Sequence, residues 1–546
     1  MILQATTHLS SSFRKRFGGR APANRTALAI SAIVLAYAVY SCARFSLQYD
    51  VRHLLVRIAD DASYYMTAAR NLAAGRGLTF DGIHPTNGFH PLWLLMLVPL
   101  FLLHATPETM IRLVALLQTI LLSLAYLVFW RTQSKLFSPR TAALTGILFV
   151  YFVFLPCING MESALLVLLI AVLYGYGLHL TQTQLNWRRA ALLGLILGCV
   201  LLARLDMIFI ALCLLGWFSH RCLAIETRSR AVAAVLVCSL AAAAVVGPYL
   251  TFNYLKFGSL MPISGALKSS FPHIALGTNT LPRIAAMGSA NLVSAVLAIG
   301  WSLWTVIRTL RNRSAADTGF YATATTVFAW AITTHFLFTM IFMKADTFAW
   351  YFVIYPLFAI VFVTGSIDRV LNSSLLRTRP PVYPATAALL IVAVIVRDQT
   401  RDPFPQNGGW HTPVYNAAVW AREHTPPEAI FAMSDCGHFG FFSLRRVINL
   451  DGLVNDMDFQ RTLADHRLNQ YLRQNDVDFL VQHAVHGRED VIAGGYNSLS
   501  LSFPSKLFEG LGDRVRVREQ SEVYRSTPFF DGLYPSVLVI WSLRGN

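Results

Sequence analysis

Residues 60–93 read DDASYYMTAARNLAAGRGLTFDGIHPTNGFHPLW and form a polar, glycine-rich insert between strongly apolar segments. The insert begins with two adjacent carboxylates, Asp60 and Asp61, shortly after the first hydrophobic segment. Two ionised carboxylates at a bilayer surface repel each other and lose hydration, so they need a cation, a shared proton or a basic partner nearby. This placement indicates a functional site at the membrane surface.

The composition indicates a polytopic membrane protein. Of the 546 residues, 55% are hydrophobic and 14% are charged, and the mean hydropathy is +0.49, whereas soluble proteins carry about 25% charged residues. The formal net charge of +16 comes from short Lys and Arg clusters between apolar runs. Such clusters are typical of cytoplasmic loops and argue against nucleic-acid binding. The seven cysteines are scattered and form no disulfide framework or CxxC metal pair.

The apolar runs predict about eleven membrane-spanning helices and one helix that dips into the lipid bilayer. Residues 1–25 are basic and precede the apolar run 26–45, so we interpret them as a cytoplasmic N-terminus followed by a retained first helix rather than a cleaved signal peptide. The further runs occupy residues 92–104, 111–130, 142–157, 163–180, 190–203, 206–218, 231–250, 291–309, 321–343, 350–366 and 381–397.

The basic loops decide which side of the membrane each segment faces. The positive-inside rule is satisfied at every basic loop if 92–104 dips without crossing and if 190–218 is two short helices broken around Arg204. We prefer this arrangement, which puts the N-terminus inside, to the alternative in which 92–104 spans and 190–218 is one tilted helix. It places five polar patches on the outer face, at residues 60–93, 159–162, 204–206, 253–268 and 344–346.

The chain divides into two predicted domains. Residues 26–397 form a membrane domain whose first outer loop is 46–110, and residues 398–546 have the composition of a soluble domain. In the latter, the strand-like segments AIFAMS, RRVINL and VDFLVQ alternate with helix-like ones, and the apolar run 531–542 is too short for a convincing span. The predicted fold is mainly α, with a polytopic membrane domain and a small extracytoplasmic α/β domain.

The acidic residues each admit two interpretations. Asp60 and Asp61 precede an alanine-rich helical stretch that Gly75 would stop, so they are candidate helix N-caps. A carboxylate held at the start of a helix is also well oriented to act as a general base. Glu162 lies between two apolar runs, and it either caps the helix that follows or faces the acidic pair across a cleft.

The candidate basic residues lie where charge is costly. Arg204 and Asp206 interrupt thirty largely apolar residues, so they either form an ion pair at a helix break or present Arg204 to a lipid-linked phosphate. Lys268, a single cation at the outer surface against the positive-inside trend, suits a phosphate. We interpret His335, inside an apolar run, as a packing residue.

The turn-rich part of the first outer loop adds three polar side chains, His84, Asn87 and His90. They either shape the loop or bind a sugar hydroxyl, a phosphate or a metal ion. We therefore treat them, together with Asp206, as candidate substrate-binding residues of the outer loops.

Several segments, in order within residues 55–270, resemble the C-fold class of polytopic glycosyltransferases that use polyprenyl-phosphate sugars. They are DDASYYMTAARNLAAGRGLTF, NGFHPLW, NGMES, LLARLDMIF and NYLKFGSLMPISGALK. Within that class they are most similar to the terminal arabinofuranosyltransferases of actinobacteria. The resemblance implies that Asp60 is the catalytic aspartate and Glu162 the second acidic position. Leu205 stands where those proteins have the proline of an Arg-Pro-Asp motif.

The resemblance implies an inverting glycosyltransferase of the bacterial inner membrane. It would transfer a sugar from a polyprenyl-phosphate donor to a hydroxyl of a glycan, lipid or protein acceptor at the outer face of the bilayer. Asp60 would be the general base, and Arg204 and Lys268 would bind the donor phosphate. Asp61 and Glu162 would position the acceptor or hold a metal ion, and hard oxygen ligands favour Mg²⁺ or Mn²⁺.

Two other functions fit a polytopic chain. A transporter or flippase is expected to place its charges near the bilayer midplane and to show repeat symmetry, whereas the polar patches here gather on one face and the sequence shows no repeat. A non-catalytic envelope-assembly protein needs only an anchor, and about eleven spans are more than an anchor requires. Release of free polyprenyl phosphate separates the three.

Overall fold

The computed structural model describes residues 21–275, 280–311, 319–345, 347–371, 409–485, 491–492, 496–500, 514–531 and 534–544. Its membrane domain is α-helical. The α-helices are Ala21–Gln48, Val51–Leu55, Asp60–Ala73, Pro91–Phe101, Pro107–Leu136, Pro139–Phe149, Ser163–Gln182, Trp187–Ala203, Ile208–Ile225, Arg228–Phe257, Ile263–Lys268, Thr280–Ala286, Ser289–Leu310, Phe320–Phe342 and Ile354–Leu371. A π-turn and three 3₁₀ turns extend or connect them, at Val150–Phe154, Leu155–Cys157, Leu205–Met207 and Ala349–Phe352.

The chain is a multi-pass membrane protein. Among the described residues, 8 helical segments are long and apolar enough to cross a membrane. They are Arg25–Gln48, Pro107–Leu136, Pro139–Cys157, Ser163–Gln182, Leu205–Ile225, Arg228–Phe257, Ser289–Leu310 and Phe320–Phe342. The remaining predicted spans also coincide with described helices, except 381–397. That span, most of 1–25 and the predicted domain boundary at 398 lie outside the described residues.

Two irregular features decide the path of the chain, and both agree with the prediction. The helix Pro91–Phe101 has 11 residues, or about 16 Å at 1.5 Å per residue, which is too short to cross about 30 Å of hydrocarbon. The helix Trp187–Ala203 ends because Arg204 is extended, with φ −156° and ψ 121°. A 3₁₀ turn then leads into the helix Ile208–Ile225. The chain therefore turns back at Arg204, as expected from its charge.

The C-terminal part is a small α/β domain. Its helices are His411–His424, Gly437–Ser443, Met457–Ala464 and Leu468–Gln474. The main sheet contains β1 (Ile430–Met433), β2 (Arg446–Asn449), β3 (Phe479–Val485), β7 (Glu522–Arg525), β8 (Phe529–Asp531) and β9 (Tyr534–Ser542), in the order β2-β1-β3-β9-β7, with β8 also on β9. A second sheet has the order β4-β5-β6, formed by Val491–Ile492, Tyr496–Ser500 and Arg514–Arg518. The three strand-like segments are confirmed, and the run 531–542 is mostly a strand.

Both faces of the main sheet are covered. Its strand β1 is parallel to β2 and β3, and parallel strands are usually buried on both faces. Successive side chains of β1 point to opposite faces of the sheet. Phe431 and Met433 pack into the hydrophobic core that continues into the membrane domain, whereas Ala432 packs with the helices Met457–Ala464 and Leu468–Gln474. The C-terminal domain and the helix bundle thus share one continuous core.

Candidate active site

A cavity of about 460 Å³ lies between the membrane helices and the C-terminal domain. It is lined where several elements begin, end or break. The predicted site residues on its wall are Asp61, His90, Glu162, Arg204, Asp206 and Lys268. Residues from four distant segments of the chain therefore meet in one pocket. This agrees with the prediction that their loops lie on the same side of the membrane. In the fifth polar patch, Lys344 donates its backbone N–H to the Lys268 carbonyl at 2.9 Å, and Asp346 lies outside the described residues.

Asp61 is the second residue of the helix Asp60–Ala73. Its N-cap is Ala59, which contributes no side-chain hydrogen bond, so the interpretation of the acidic pair as N-caps is wrong, although acids in a first turn still complement the helix dipole. Burial raises the pKa of the Asp61 carboxyl, Lys268 opposes that rise, and Asp451 and Glu162 add to it. A half-buried carboxylate with a raised pKa beside a cation is suited to accept a proton.

The turn before Glu162 brings that carboxylate to the same pocket. Gly160 has φ +80°, and a Cβ there would lie 2.5 Å from the Ala62 Cβ, so only glycine allows this approach to the acidic helix. Gln118 fixes the turn from both sides, because its Oε1 accepts from the Gly160 N–H at 2.9 Å and its Nε2 donates to the Met161 carbonyl at 2.6 Å. Glu162 is fully buried.

Arg204 lies at the centre of a buried ion cluster. Its Nη1 donates to Glu162 Oε1 at 2.6 Å, and its Nε and Nη2 donate to the two oxygens of Asp206 at 3.0 and 2.5 Å. Nη1 also donates to the Trp350 carbonyl at 3.3 Å. The guanidinium joins the helix break to the turn at Glu162, so the ion-pair interpretation of Arg204 describes the structure, and its planar fork suits bidentate contact with Asp206.

Lys268 is the second cation of the pocket, at the end of the short helix Ile263–Lys268. Its Nζ donates to the Tyr351 hydroxyl at 3.0 Å. Burial opposes its charge, but Tyr351 and Asp61 outweigh burial and raise the pKa of Lys268. An ammonium has three donor protons, so Lys268 stays charged and keeps donors for a ligand.

Three buried polar atoms of wall residues have no hydrogen-bond partner among the described residues: Glu162 Oε2, His90 Nδ1 and Trp350 Nε1. Glu162 and His90 are neighbours, with His90 Nε2 4.0 Å from Glu162 Oε1. Burial lowers the pKa of His90, which keeps the imidazole neutral. Buried polar atoms normally have partners, so this pair indicates a polar ligand in the cavity.

Asp60 does not line the cavity. Its Oδ2 accepts from the Gly437 N–H at 2.8 Å and its Oδ1 from the His438 N–H at 2.6 Å. Both oxygens thus bind the start of the helix Gly437–Ser443 in the C-terminal domain. The structure thus places the Asp60 carboxylate against the C-terminal domain and its neighbour Asp61 on the cavity wall, while the catalytic role expected for Asp60 stays a prediction.

Two of the four substrate-loop candidates, His84 and Asn87, do not line the cavity either. His84 Nδ1 lies 2.7 Å from Asp81 Oδ2, and the ring of His84 stacks on Tyr471 of the C-terminal domain. The Asn87 Oδ1 accepts from the Ile263 N–H at 3.0 Å. These residues shape the loop and hold it to its neighbours, whereas His90 lines the cavity.

The pocket does not fit the predicted metal ion. Asp61 and Glu162 were the expected ligands, and Arg204 already binds one of the two Glu162 oxygens, Oε1. In the described part of the chain, no group of three or more His, Cys, Asp or Glu side chains lies close enough together to hold a metal ion. We therefore derive no step through Mg²⁺ or Mn²⁺.

Sequence reasoning missed several residues of the wall. Tyr351 contacts both cations, since its ring also lies 5.1 Å from the Arg204 guanidinium; the aromatic segment FAWYF after Lys344 was an available signal. His335 is more than a packing residue, with Nε2 3.6 Å from Asp206 Oδ2 and Nδ1 2.9 Å from the Tyr355 hydroxyl. Leu453 and Val454 line the cavity from the C-terminal domain, and no local pattern marks them.

The rim of the cavity at the membrane helices is apolar. Leu250, Phe209 and Phe338 lie on it, and three further rim residues are partly exposed, with exposed fractions of 40% for Ile208, 56% for Leu260 and 46% for Met261. Ile208 begins a helix within the candidate span Leu205–Ile225, and Leu260 and Met261 lie in the loop that follows the spanning helix Arg228–Phe257. The polar interior therefore opens onto an apolar surface that suits a lipid chain.

Comparisons with known proteins agree with this architecture. The crystal structure of the Archaeoglobus fulgidus oligosaccharyltransferase in its apo form matches with a TM-score of 0.51 and 14% identity, over 83% of this chain and 69% of that one. The chain has the fold of that enzyme. It is the C-fold expected from the resemblance, while the arabinofuranosyltransferase subtype stays a prediction.

Other comparisons add little. ArnT from Cupriavidus metallidurans, bound to undecaprenyl phosphate, matches with a TM-score of 0.49 and 13% identity, over 93% of this chain and 97% of that one. The model of a family described as a domain of unknown function (DUF8728) matches residues 404–524. No curated protein matches the sequence significantly.

Proposed function

We propose that the protein is a membrane glycosyltransferase that takes a sugar from a polyprenyl-phosphate donor and transfers it to an acceptor hydroxyl. The observation that carries the proposal is the pocket itself, in which a half-buried carboxylate with a raised pKa, Asp61, lies beside a charged Lys268 under an apolar rim. The shared fold with an oligosaccharyltransferase supports the same kind of reaction.

In the proposed reaction Asp61 is the general base. It accepts the proton of the acceptor hydroxyl while the acceptor oxygen forms a bond to the anomeric carbon of the sugar. The bond from that carbon to the phosphate oxygen breaks, and its electron pair leaves with the polyprenyl phosphate. Attack opposite to the leaving group inverts the anomeric configuration, and one positioned base contributes about 10²–10⁴-fold to such a step.

Lys268 stabilises the phosphate in this proposal. Charge grows on the leaving phosphate as the bond breaks, and a preorganised cation in a site with little water stabilises that charge more than water does. Arg204 contributes to phosphate binding only indirectly, since its N–H groups already donate to Glu162 and Asp206. Two of the partnerless atoms, Glu162 Oε2 and His90 Nδ1, are suited to bind sugar hydroxyls.

The apolar rim takes the prenyl chain of the donor. Its partly exposed residues, including Leu260 and Met261, continue from the lipid-facing helices to Lys268 on the cavity wall. A lipid-linked phosphate can therefore keep its chain in the bilayer while its headgroup enters the pocket. A soluble nucleotide sugar would gain nothing from this surface.

The deciding experiment uses the full-length protein in lipid nanodiscs and a panel of polyprenyl-phosphate pentoses and hexoses with labelled sugars. A glycosyltransferase releases free polyprenyl phosphate as label appears on an acceptor, and the panel shows whether arabinofuranose, the sugar implied by the resemblance, is preferred. A flippase moves the intact donor between leaflets of a vesicle without releasing phosphate, and an assembly protein does neither. Absence of release with every donor would remove the enzymatic proposal.

A Lys268→Met variant should bind the donor about 10- to 100-fold more weakly, because a hydrogen bond to a charged group contributes about 1.5–3 kcal/mol. It should also shift the acid limb of the pH–rate profile. Lys268 lowers the pKa of Asp61, so its removal raises that pKa further and leaves the base protonated up to a higher pH. The acid limb should therefore move to higher pH. It is measured as kcat/KM against pH.

The matched control for Lys268 is Lys256→Met. Lys256 is exposed at the end of the helix Arg228–Phe257 and does not line the cavity. This variant should keep both the donor affinity and the pH profile. An unchanged acid limb in Lys268→Met would mean that Lys268 and the base are not neighbours in the working enzyme.

A further inference from the structure

The helix Asp60–Ala73 of the first loop holds the helix Gly437–Ser443 of the C-terminal domain at both ends. Asp60 accepts the N–H groups of Gly437 and His438, which open the second helix. Ten residues later, Arg70 Nη1 donates to the Phe441 carbonyl at 2.9 Å and Nη2 to the Gly440 carbonyl at 3.3 Å. An anion at the start of a helix and a cation at its end both complement its dipole.

The fit between the two helices is close. A Cβ at Gly437 would lie 2.6 Å from Asp60 Oδ2, and a Cβ at Gly440 would lie 2.6 Å from the Phe80 ring. The Ser63 hydroxyl adds a contact of 2.8 Å to His438 Nδ1. Asp60 is 8% exposed, so this contact is an interior part of the fold rather than a surface ion pair.

The contact between these two helices is connected to the cavity wall. Tyr64, one turn after Asp60, accepts from the Cys436 N–H at 3.2 Å and donates its hydroxyl to Asp451 Oδ2 at 3.3 Å. The other oxygen of Asp451 accepts from the Leu453 N–H at 2.9 Å. The turn that follows β2 is thereby fixed, and Leu453 and Val454 form the cavity wall contributed by the C-terminal domain.

The same turn meets the first loop directly. A Cβ at Gly88 would lie 2.0 Å from the Leu453 carbonyl oxygen, so the two backbones touch beside the cavity. This wall comes from the first loop and the C-terminal domain, outside the membrane-spanning helices. Under the proposed function the lipid-linked donor enters from the membrane helices, which leaves this wall to the acceptor.

We propose that Asp60 and Arg70 are positioning residues that clamp the helix Gly437–Ser443 and so set the acceptor-side wall at Leu453 and Val454. The acceptor part of this inference rests on the proposed function, whereas the clamp does not. Asp60 then acts through the C-terminal domain, and it affects acceptor binding rather than the chemical step.

The clamp is tested by hydrogen–deuterium exchange of the full-length protein in nanodiscs. Asp60→Asn removes the charge and replaces one acceptor oxygen by an NH₂ group that faces an N–H donor. Exchange in the peptide that covers residues 437–443 should become at least roughly tenfold faster, while the helix Ser163–Gln182 exchanges as before. Arg70→Met should give the same result from the other end of the helix. Arg76→Met, an exposed arginine near Arg70, is the control without effect.

Kinetics with labelled donor test the second half of the proposal. Asp60→Asn and Arg70→Met should raise KM for the acceptor at least fivefold and change kcat little, and the double variant should add little to either single one. Normal exchange at 437–443 in both single variants would overturn the clamp, and so would equal acceleration throughout the protein. Faster exchange at 437–443 with unchanged acceptor KM would overturn the assignment of the wall. If wild-type protein transfers no sugar, the proposed function fails while the exchange result still decides the clamp.

Discussion

An Asp61→Asn variant should transfer sugar about 10²–10⁴-fold more slowly than wild type, because it removes the general base while keeping the size of the side chain. Asp61 is the carboxylate of the acidic pair that lines the cavity. Burial raises the pKa of Asp61. The acid limb of the wild-type pH–rate profile should therefore lie above the pH range in which an ordinary aspartate is protonated. The loss should appear in kcat, measured with saturating donor and acceptor.

The neighbouring residue provides the sharpest control for this result. Asp60→Asn makes the same chemical change one position earlier, but Asp60 points to the helix Gly437–Ser443. It should keep most of kcat, and Asp61→Asn should keep normal exchange at residues 437–443. If instead Asp60→Asn loses kcat and Asp61→Asn retains it, the base is Asp60, as the resemblance to arabinofuranosyltransferases implied.

The sequence allows one to place this pair at the site but not to choose between its members. Consecutive residues on a helix point about 100° apart, so Asp60 and Asp61 have different surroundings, and the sequence does not show which of them lines the cavity. The partner that decides between them, Gly437, is 377 residues away in the chain. No local pattern around residues 60–73 carries information about that contact, and the resemblance matched the pair without its surroundings.

The predictions that agree with the structure rest on local physical constraints. Charge inside an apolar run requires a break or a partner, and Arg204 has both. The positive-inside rule puts all basic loops on one side of the membrane, which predicts that Glu162, Arg204 and Lys268 lie together on the other side. In the structure the three residues line one cavity. The strand-like segments of the C-terminal domain were found as short apolar runs between helix-like segments, and strands of a sheet covered on both faces have that composition.

The predictions that differ depend on contacts between distant segments. His84 was a substrate candidate, but Asp81 and Tyr471 hold it. The metal prediction named Asp61 and Glu162 as possible ligands; Arg204 binds one Glu162 oxygen, and the Mg²⁺ or Mn²⁺ site stays a prediction. In each case the residue type was suited to the chemistry, and a partner that spacing does not reveal determined its use.

Replacing Arg204 by Met should destabilise the folded protein by about 3–5 kcal/mol, because removing one partner of a buried ion pair leaves the other charge uncompensated. Glu162 is 0% exposed and Arg204 is 4% exposed, so neither charge is hydrated by bulk water. The measurement is equilibrium or thermal unfolding in detergent micelles. Arg461→Met is the matched control, since Arg461 and Asp458 form an exposed pair 2.7 Å apart whose contribution should be about 0–1 kcal/mol.

Two more variants separate the structural role of Arg204 from phosphate binding. Arg204→Lys keeps the charge but loses the fork that binds Asp206 through two nitrogens, so it should recover only part of the stability. Adding Glu162→Gln to Arg204→Met removes the uncompensated buried charge, so the double variant should be more stable than Arg204→Met alone. A direct phosphate ligand predicts the opposite pattern, with normal stability and weaker donor binding in Arg204→Met. The guanidinium already donates to Glu162, Asp206 and the Trp350 carbonyl. We therefore expect Arg204→Met to lose stability.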